Sequence, residues 1–216
     1  MPTRVRSPTL RSHSPTPLPV DRRSLRRALA TRVAAFDKSV DAALDHVRGN
    51  PVADRVFYAA TELGDMALIW HLVSTARGFR SDRDAADAVR VSSILGIESI
   101  LVNGVVKSFF RRHRPVWDQP RAYRIRRPRS SSFPSGHASS AFTAAGVLSE
   151  DDPLKPLYYA IAAVVATSRV YVRIHHASDV VAGVATGLVL GRVARKLWPK
   201  PVDGSPFSGL RNTTAG

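Results

Sequence analysis

Apolar positions are sparse over residues 1–20, where Ser, Thr, Pro and Arg dominate. A segment with so little to bury is read as a disordered basic tail. From Asp21 the pattern changes. Leu25, Leu29, Val33, Phe36, Val40 and Leu44 recur near helical spacing. They predict an amphipathic helix over 21–48, capped by Asp21 or Ser24. Such a helix either lies on a membrane surface or packs on the domain. Gly49-Asn50-Pro51 ends it.

Five more apolar segments follow, over about 52–77, 85–112, 135–149, 154–172 and 177–198. A polar loop from Arg77 to Asp84, a long basic loop over about 113–133 and the Asp151-Asp152-Pro153 turn separate them. No strand-like alternation and no internal repeat stands out. On the last segment Gly183, Gly187 and Gly191 recur every four residues, a small-residue face suited to close helix packing. A plain spanning helix needs about 20 mostly apolar residues. Glu98 interrupts the 85–112 segment, and the charge-free runs Pro156–Ser168 and Val180–Gly191 are shorter than that. Flanking Arg and Lys side chains that snorkel allow such runs to span. Residues 52–198 are read as one helical domain and 199–216 as a flexible C-terminal tail.

Charge adds a class of partner. The net charge is +15, with 32 Lys and Arg against 17 Asp and Glu. The excess sits mainly in residues 1–30 and in the stretch from Lys107 to Arg129. Such a chain seeks nucleic acid, an anionic membrane surface or a phosphorylated substrate. Cysteine is absent, which excludes a disulfide framework and thiolate chemistry. No apolar stretch follows the basic N-terminus, which argues against a secreted soluble enzyme.

Three clusters carry candidate chemistry. In the first, Lys107 and Arg114 stand seven apart before Pro115. On a helix they share a face and can clamp a dianion. In the second, Pro134-Ser135-Gly136-His137 opens a helix whose free N–H groups suit phosphate oxygens. His137 there can protonate a leaving oxygen. In the third, Ser168-Arg169 precedes His175, and Asp179 follows four residues later. On a helix that pair is adjacent. A carboxylate on one imidazole nitrogen frees the other as a nucleophile, and Arg169 adds a bidentate phosphate donor. Each cluster alone also has a bland reading: a solvated basic helix end, a serine cap, a surface histidine. Together they supply a nucleophile, its orienter, a general acid, an anion cradle and three cations. That is an inventory for phosphoryl transfer with no metal and no cofactor.

Lys107-x6-Arg114-Pro115, Pro134-Ser135-Gly136-His137 and Ser168-Arg169-x5-His175-x3-Asp179 resemble the three-part signature of the type 2 phosphatidic acid phosphatase superfamily. The resemblance covers about residues 52–198. It implies an all-α helical bundle embedded in a membrane, and a lipid phosphate or polyprenyl diphosphate phosphatase. It implies that His175 attacks phosphorus and forms a phosphohistidine, that Asp179 orients it, and that His137 is the acid. It gives Lys107, Arg114, Arg169 and the N–H groups of Ser135 and Gly136 the phosphate oxygens. His176 falls out of register and is read as structural. The expected substrate is a polyprenyl phosphate or diphosphate, phosphatidate or phosphatidylglycerol phosphate, with the Arg-rich loop 111–129 adding headgroup contacts. The expected location is a bacterial-type plasma membrane, multi-pass, with the site on the outer side and no nucleic-acid partner. A soluble acid phosphatase, a vanadate-dependent haloperoxidase and a non-enzymatic basic binding protein are the alternatives.

Overall fold

The computed structural model describes residues 21–116, 122–126 and 128–207. The tail over residues 1–20 lies outside them. Every regular element among the described residues is helical.

Helix α1 (Arg22–Asp45) starts at Asp21, whose carboxylate accepts from the Arg23 and Ser24 amides. Its second half packs Val40 and Leu44 against the core, while Leu25, Leu29, Val33 and Phe36 stay exposed. Asn50 caps α2 (Pro51–Leu63) by accepting from Val52 and Ala53, with Pro51 at the first position, where its missing N–H costs nothing. The sequence pattern joins 52–77 into one helix. The chain instead turns at Gly64, with Met66 and Ala67 in left-handed conformations (φ 49° and 57°), before α3 (Leu68–Gly78). The turn falls where a Cβ on Gly64 would come within 2.9 Å of both His137 and Val165.

Helix α4 (Asp82–Ser99), capped by Ser81, also departs from its predicted span. It continues through a π-helical segment (Ile100–Val105) and a 3-10 turn (Val106–Phe109). Phe110 is extended (φ −122°, ψ 140°), so the helix ends before Arg112 and Arg114. Lys107 and Arg114 therefore do not share a helix face.

Helix α5 (Gly136–Leu148) is buried along nearly its whole length, between α6 (Lys155–Tyr171) and α7 (Ala177–Leu197). The glycine stripe explains how. A Cβ on Gly183 would lie 2.4 Å from the Ser135 carbonyl, and one on Gly187 would lie 2.3 Å from that of Ser139. The α5 and α7 backbones meet directly, and Thr143 donates to the Gly187 carbonyl at 3.3 Å. Around Trp70, α3, α4 and α5 close a second part of the core with Val91, Leu95 and Ala144. Residues 199–207, read from the sequence as the start of a flexible tail, run back over the helices. Arg83 bonds the Pro201 carbonyl, and Trp198 stacks on Phe207.

Two runs, Asp82–Phe109 and Ala177–Leu197, are long and apolar enough to cross a membrane. Only 33% of the apolar window of each is buried. Ile97, Ile100, Val181 and Val189 are exposed on them, which is unlike the core helices of a water-soluble fold.

Candidate active site

The α6–α7 connection sets up the site. The Arg169 carbonyl at the end of α6 accepts from both Ile174 and His175 amides at 3.1 Å. Arg173 turns the chain with a left-handed conformation (φ 49°). His175 thus precedes α7 rather than lying on it, and His176 is the N-cap. Asp179, at the third helical position, still reaches back: its Oδ2 accepts from the His176 amide at 2.9 Å and stands 3.7 Å from His175 Nδ1. The expected His175–Asp179 neighbourhood is present, made by a helix N-terminus instead of one helical turn. His176 Nε2 meets the His113 carbonyl at 3.2 Å, a contact within the scaffold.

From the far side, Arg114 Nη1 sits 3.2 Å from His175 Nε2 and 3.0 Å from the Ile174 carbonyl. A guanidinium only donates, so Nε2 carries the lone pair and Nδ1 the proton, facing Asp179. The other Arg114 nitrogen bonds the Ser131 carbonyl at 3.2 Å. Arg169 is buried and donates to Thr61 Oγ1 on α2. Lys107 donates to Asn103 Oδ1 at 2.8 Å. Asn103 in turn lies against Gly136, where a Cβ would come within 2.5 Å of its oxygen. Only glycine lets the α5 N-terminus approach this closely.

Lys107, Arg114, Gly136, His137, Arg169 and His175 line one cavity of about 540 Å3. Ser135 and Asp179 are fully buried behind it. Ser135 Oγ caps α5 through the Ala138 amide at 3.5 Å, and its own N–H donates to the Asp179 carbonyl at 3.0 Å. That N–H is engaged, which corrects the expectation that it holds a phosphate oxygen. The amides next in line, of Gly136 and His137, have no acceptor inside the helix.

Burial, reinforced by the Arg169, Arg114 and Lys107 charges, pushes His175 down to about 3 despite the opposing Asp179 contact. His137 is held well below the usual histidine range, first by burial and then by Arg169, His175 and Lys107. Its Nε2 has no hydrogen-bond partner among the described residues, and Asp65 Oδ1 lies 4.0 Å away. Both rings are therefore neutral in a strongly cationic pocket that suits a multiply charged anion. Among the described residues no group of three or more His, Asp or Glu side chains is arranged to hold a metal ion.

Sequence reasoning missed the supporting partners. Asn103 carries a faint signal, four residues before Lys107 on a helix. Thr61, Asp37 and Arg112 carry none, because their partners are distant in sequence.

A family model described as the PAP2 superfamily matches residues 87–203. Over 90 residues the chain is 37% identical to decaprenylphosphoryl-5-phosphoribose phosphatase of Mycobacterium tuberculosis, covering 41% of this chain and 49% of the relative. The match thus spans about half the length of the curated relatives. The fold is similar to the crystal structure of a transmembrane PAP2 type phosphatidylglycerolphosphate phosphatase from Bacillus subtilis. There the TM-score is 0.57 at 26% identity, over 81% of this chain and 94% of that one. It is also similar to LpxE of Aquifex aeolicus, with a TM-score of 0.59 at 26% identity, over 73% and 93% of the two chains.

Proposed function

The chain belongs to the PAP2 superfamily, and from that premise we propose that it is a membrane-bound phosphatase of a lipid phosphate or diphosphate. The observation that carries the reading is the setting of His175. Its Nε2 lone pair accepts from Arg114 at the wall of a cavity that Lys107, Arg114 and Arg169 also line, while its Nδ1 faces a buried carboxylate.

In the proposed reaction, Lys107, Arg114, Arg169 and the Gly136 and His137 amides hold the phosphoryl oxygens and stabilise the charge that grows in the transition state. His175 Nε2 forms a bond to phosphorus as the bond to the leaving oxygen breaks. Asp179 stabilises the developing imidazolium, and its 3.7 Å contact closes to a hydrogen bond as that charge appears. His137 binds a proton alongside the anionic substrate and gives it to the leaving oxygen. It then takes a proton from water as the water oxygen attacks phosphorus and the N–P bond breaks. Inorganic phosphate leaves, His137 releases the proton it took from water to solvent, and both histidines return to their neutral starting states.

The lipid half of the reading is supported by the two exposed apolar helices and by the names of the similar proteins, a decaprenylphosphoryl and a phosphatidylglycerolphosphate phosphatase. The location proposed with it is multi-pass in the plasma membrane with the cavity on the outer side.

The test is phosphate release by the full chain in detergent micelles. The substrates are polyprenyl phosphate, polyprenyl diphosphate, phosphatidate and phosphatidylglycerol phosphate. At least one is expected to be hydrolysed, and His175→Ala is expected to lower its kcat by about a thousandfold or more. Turnover surviving that substitution would discard the nucleophile assignment.

A further inference from the structure

Behind Asp179 lies a second charged layer that the reaction above does not use. Arg112, two residues before the phosphate-binding Arg114, points away from the cavity. Its Nη1 donates to Asp179 Oδ1 at 2.5 Å and to Ser178 Oγ at 2.8 Å. Its Nη2 donates to Asp37 Oδ2 at 2.6 Å. Asp37 is the buried residue of α1. Its other oxygen accepts from the Ser178 amide at 2.8 Å, in the first turn of α7, and Oδ2 also accepts from Ser178 Oγ at 2.9 Å. One guanidinium and one carboxylate therefore fasten three segments that are far apart in sequence.

The division of labour on Asp179 is specific. Oδ1 is taken by Arg112, while Oδ2 accepts from the His176 amide and faces His175 Nδ1. Arg112 thereby fixes the rotation of the carboxylate and leaves one oxygen for the imidazole. Its backbone works to the same end. The Arg112 carbonyl accepts from Ser132 at 3.0 Å, just before the loop that starts α5.

We infer that Arg112 and Asp37 are positioning residues for the reaction, a pair through which α1, outside the matched family region, holds Asp179 in line with His175. The inference rests on the reading of His175 as nucleophile and Asp179 as its orienter. It assigns α1 a part in turnover: the helix completes the layer behind the reacting histidine. Partners of this kind, one step behind the reacting groups, set activity by fixing geometry rather than by touching substrate.

The experiment is a double-mutant cycle on the full chain in detergent, using whichever of the four lipid phosphates it hydrolyses fastest. Arg112→Ala and Asp37→Asn are each expected to lower kcat about tenfold to a hundredfold with KM nearly unchanged. Asp37→Asn is expected to add little in the Arg112→Ala background, because Asp37 acts through Arg112. Added guanidinium ion is expected to restore part of the kcat of Arg112→Ala, a response that lost fold stability alone does not give. Overturning results are a kcat within about twofold of the unaltered chain for both single variants, fully multiplicative losses in the double variant, or a rise in KM alone. Should His175→Ala remain active, or the unaltered chain release phosphate from none of the four lipids, the underlying reading falls and this inference with it. An inactive His175→Ala beside fully active Arg112→Ala and Asp37→Asn removes this inference alone.

Discussion

His175, the proposed nucleophile, is unusual because its surroundings starve it of protons. Burial and three nearby cations hold it down to about 3, against about 6.5 for an exposed imidazole. Two consequences follow, with opposite bearing on function and stability. For function, the ring stays neutral across ordinary pH, as the proposed attack on phosphorus requires. In 13C-histidine NMR of the full chain, the His175 resonance is expected to stay flat from about pH 8 to about pH 5, where an exposed histidine titrates. A His175 resonance with its midpoint near 6.5 would contradict the environment described. For stability, the unfolded chain takes up the proton first. The contribution of this neutral ring is complete above about pH 6.5 and drains away as pH falls toward about 3. His175→Asn is accordingly expected to flatten the fall of the thermal midpoint between about pH 7 and about pH 4.

Among the helices, the signature residues were legible in the sequence, but the backbone that presents them was not. Hydrophobic periodicity gave six helical segments, and every described helix falls within or near one of them. It did not give the turn at Gly64, because apolar residues continue across it and the neighbours that leave no room for a Cβ there, His137 and Val165, lie far along the chain. Nor did it reveal that the helix carrying Lys107 ends at Phe109. The spacing from Lys107 to Arg114 fits two helical turns, yet Arg114 reaches the site from an extended loop. The His175–Asp179 spacing fits a helical turn as well, and the structure meets it with a cap. The glycine stripe on α7 was readable, because close packing has a local signature. Its cost is testable. Gly187→Ala puts a methyl against the Ser139 carbonyl and Phe142 and is expected to destabilise by about 1–3 kcal/mol. Gly96→Ala in α4, with nothing within 4 Å of the added carbon, is expected to be neutral or stabilising by up to about 1 kcal/mol. Thermal midpoints in detergent separate the two.

Across the whole molecule, the charge distribution and the proposed orientation pull against each other. Basic segments tend to stay on the cytoplasmic side, yet Arg114, Ile125, Arg126 and Pro128 of the Arg-rich stretch line the cavity proposed to face outward. The contacts resolve the tension for part of the loop. Arg112 is held by Asp37 and Asp179, Arg114 binds at His175, and Arg126 lines the cavity. These charges are held by the site and its acids, so they weigh less on topology than free loop cations do. The run Asp82–Phe109 has 28 residues, about 40 Å at helical rise, long enough for its two ends to reach opposite faces of a bilayer about 30 Å thick. The natural chain has no cysteine, so single reporters can be placed cleanly. Arg124→Cys, exposed beside the cavity, and Arg80→Cys, exposed just before α4, mark the two ends. In intact bacterial spheroplasts a membrane-impermeant maleimide is expected to label Arg124→Cys at once and Arg80→Cys only after permeabilisation. The reverse pattern would turn the site to the cytoplasm. Labelling of both without permeabilisation would mean that this helix does not span, and that its exposed apolar face meets the membrane some other way.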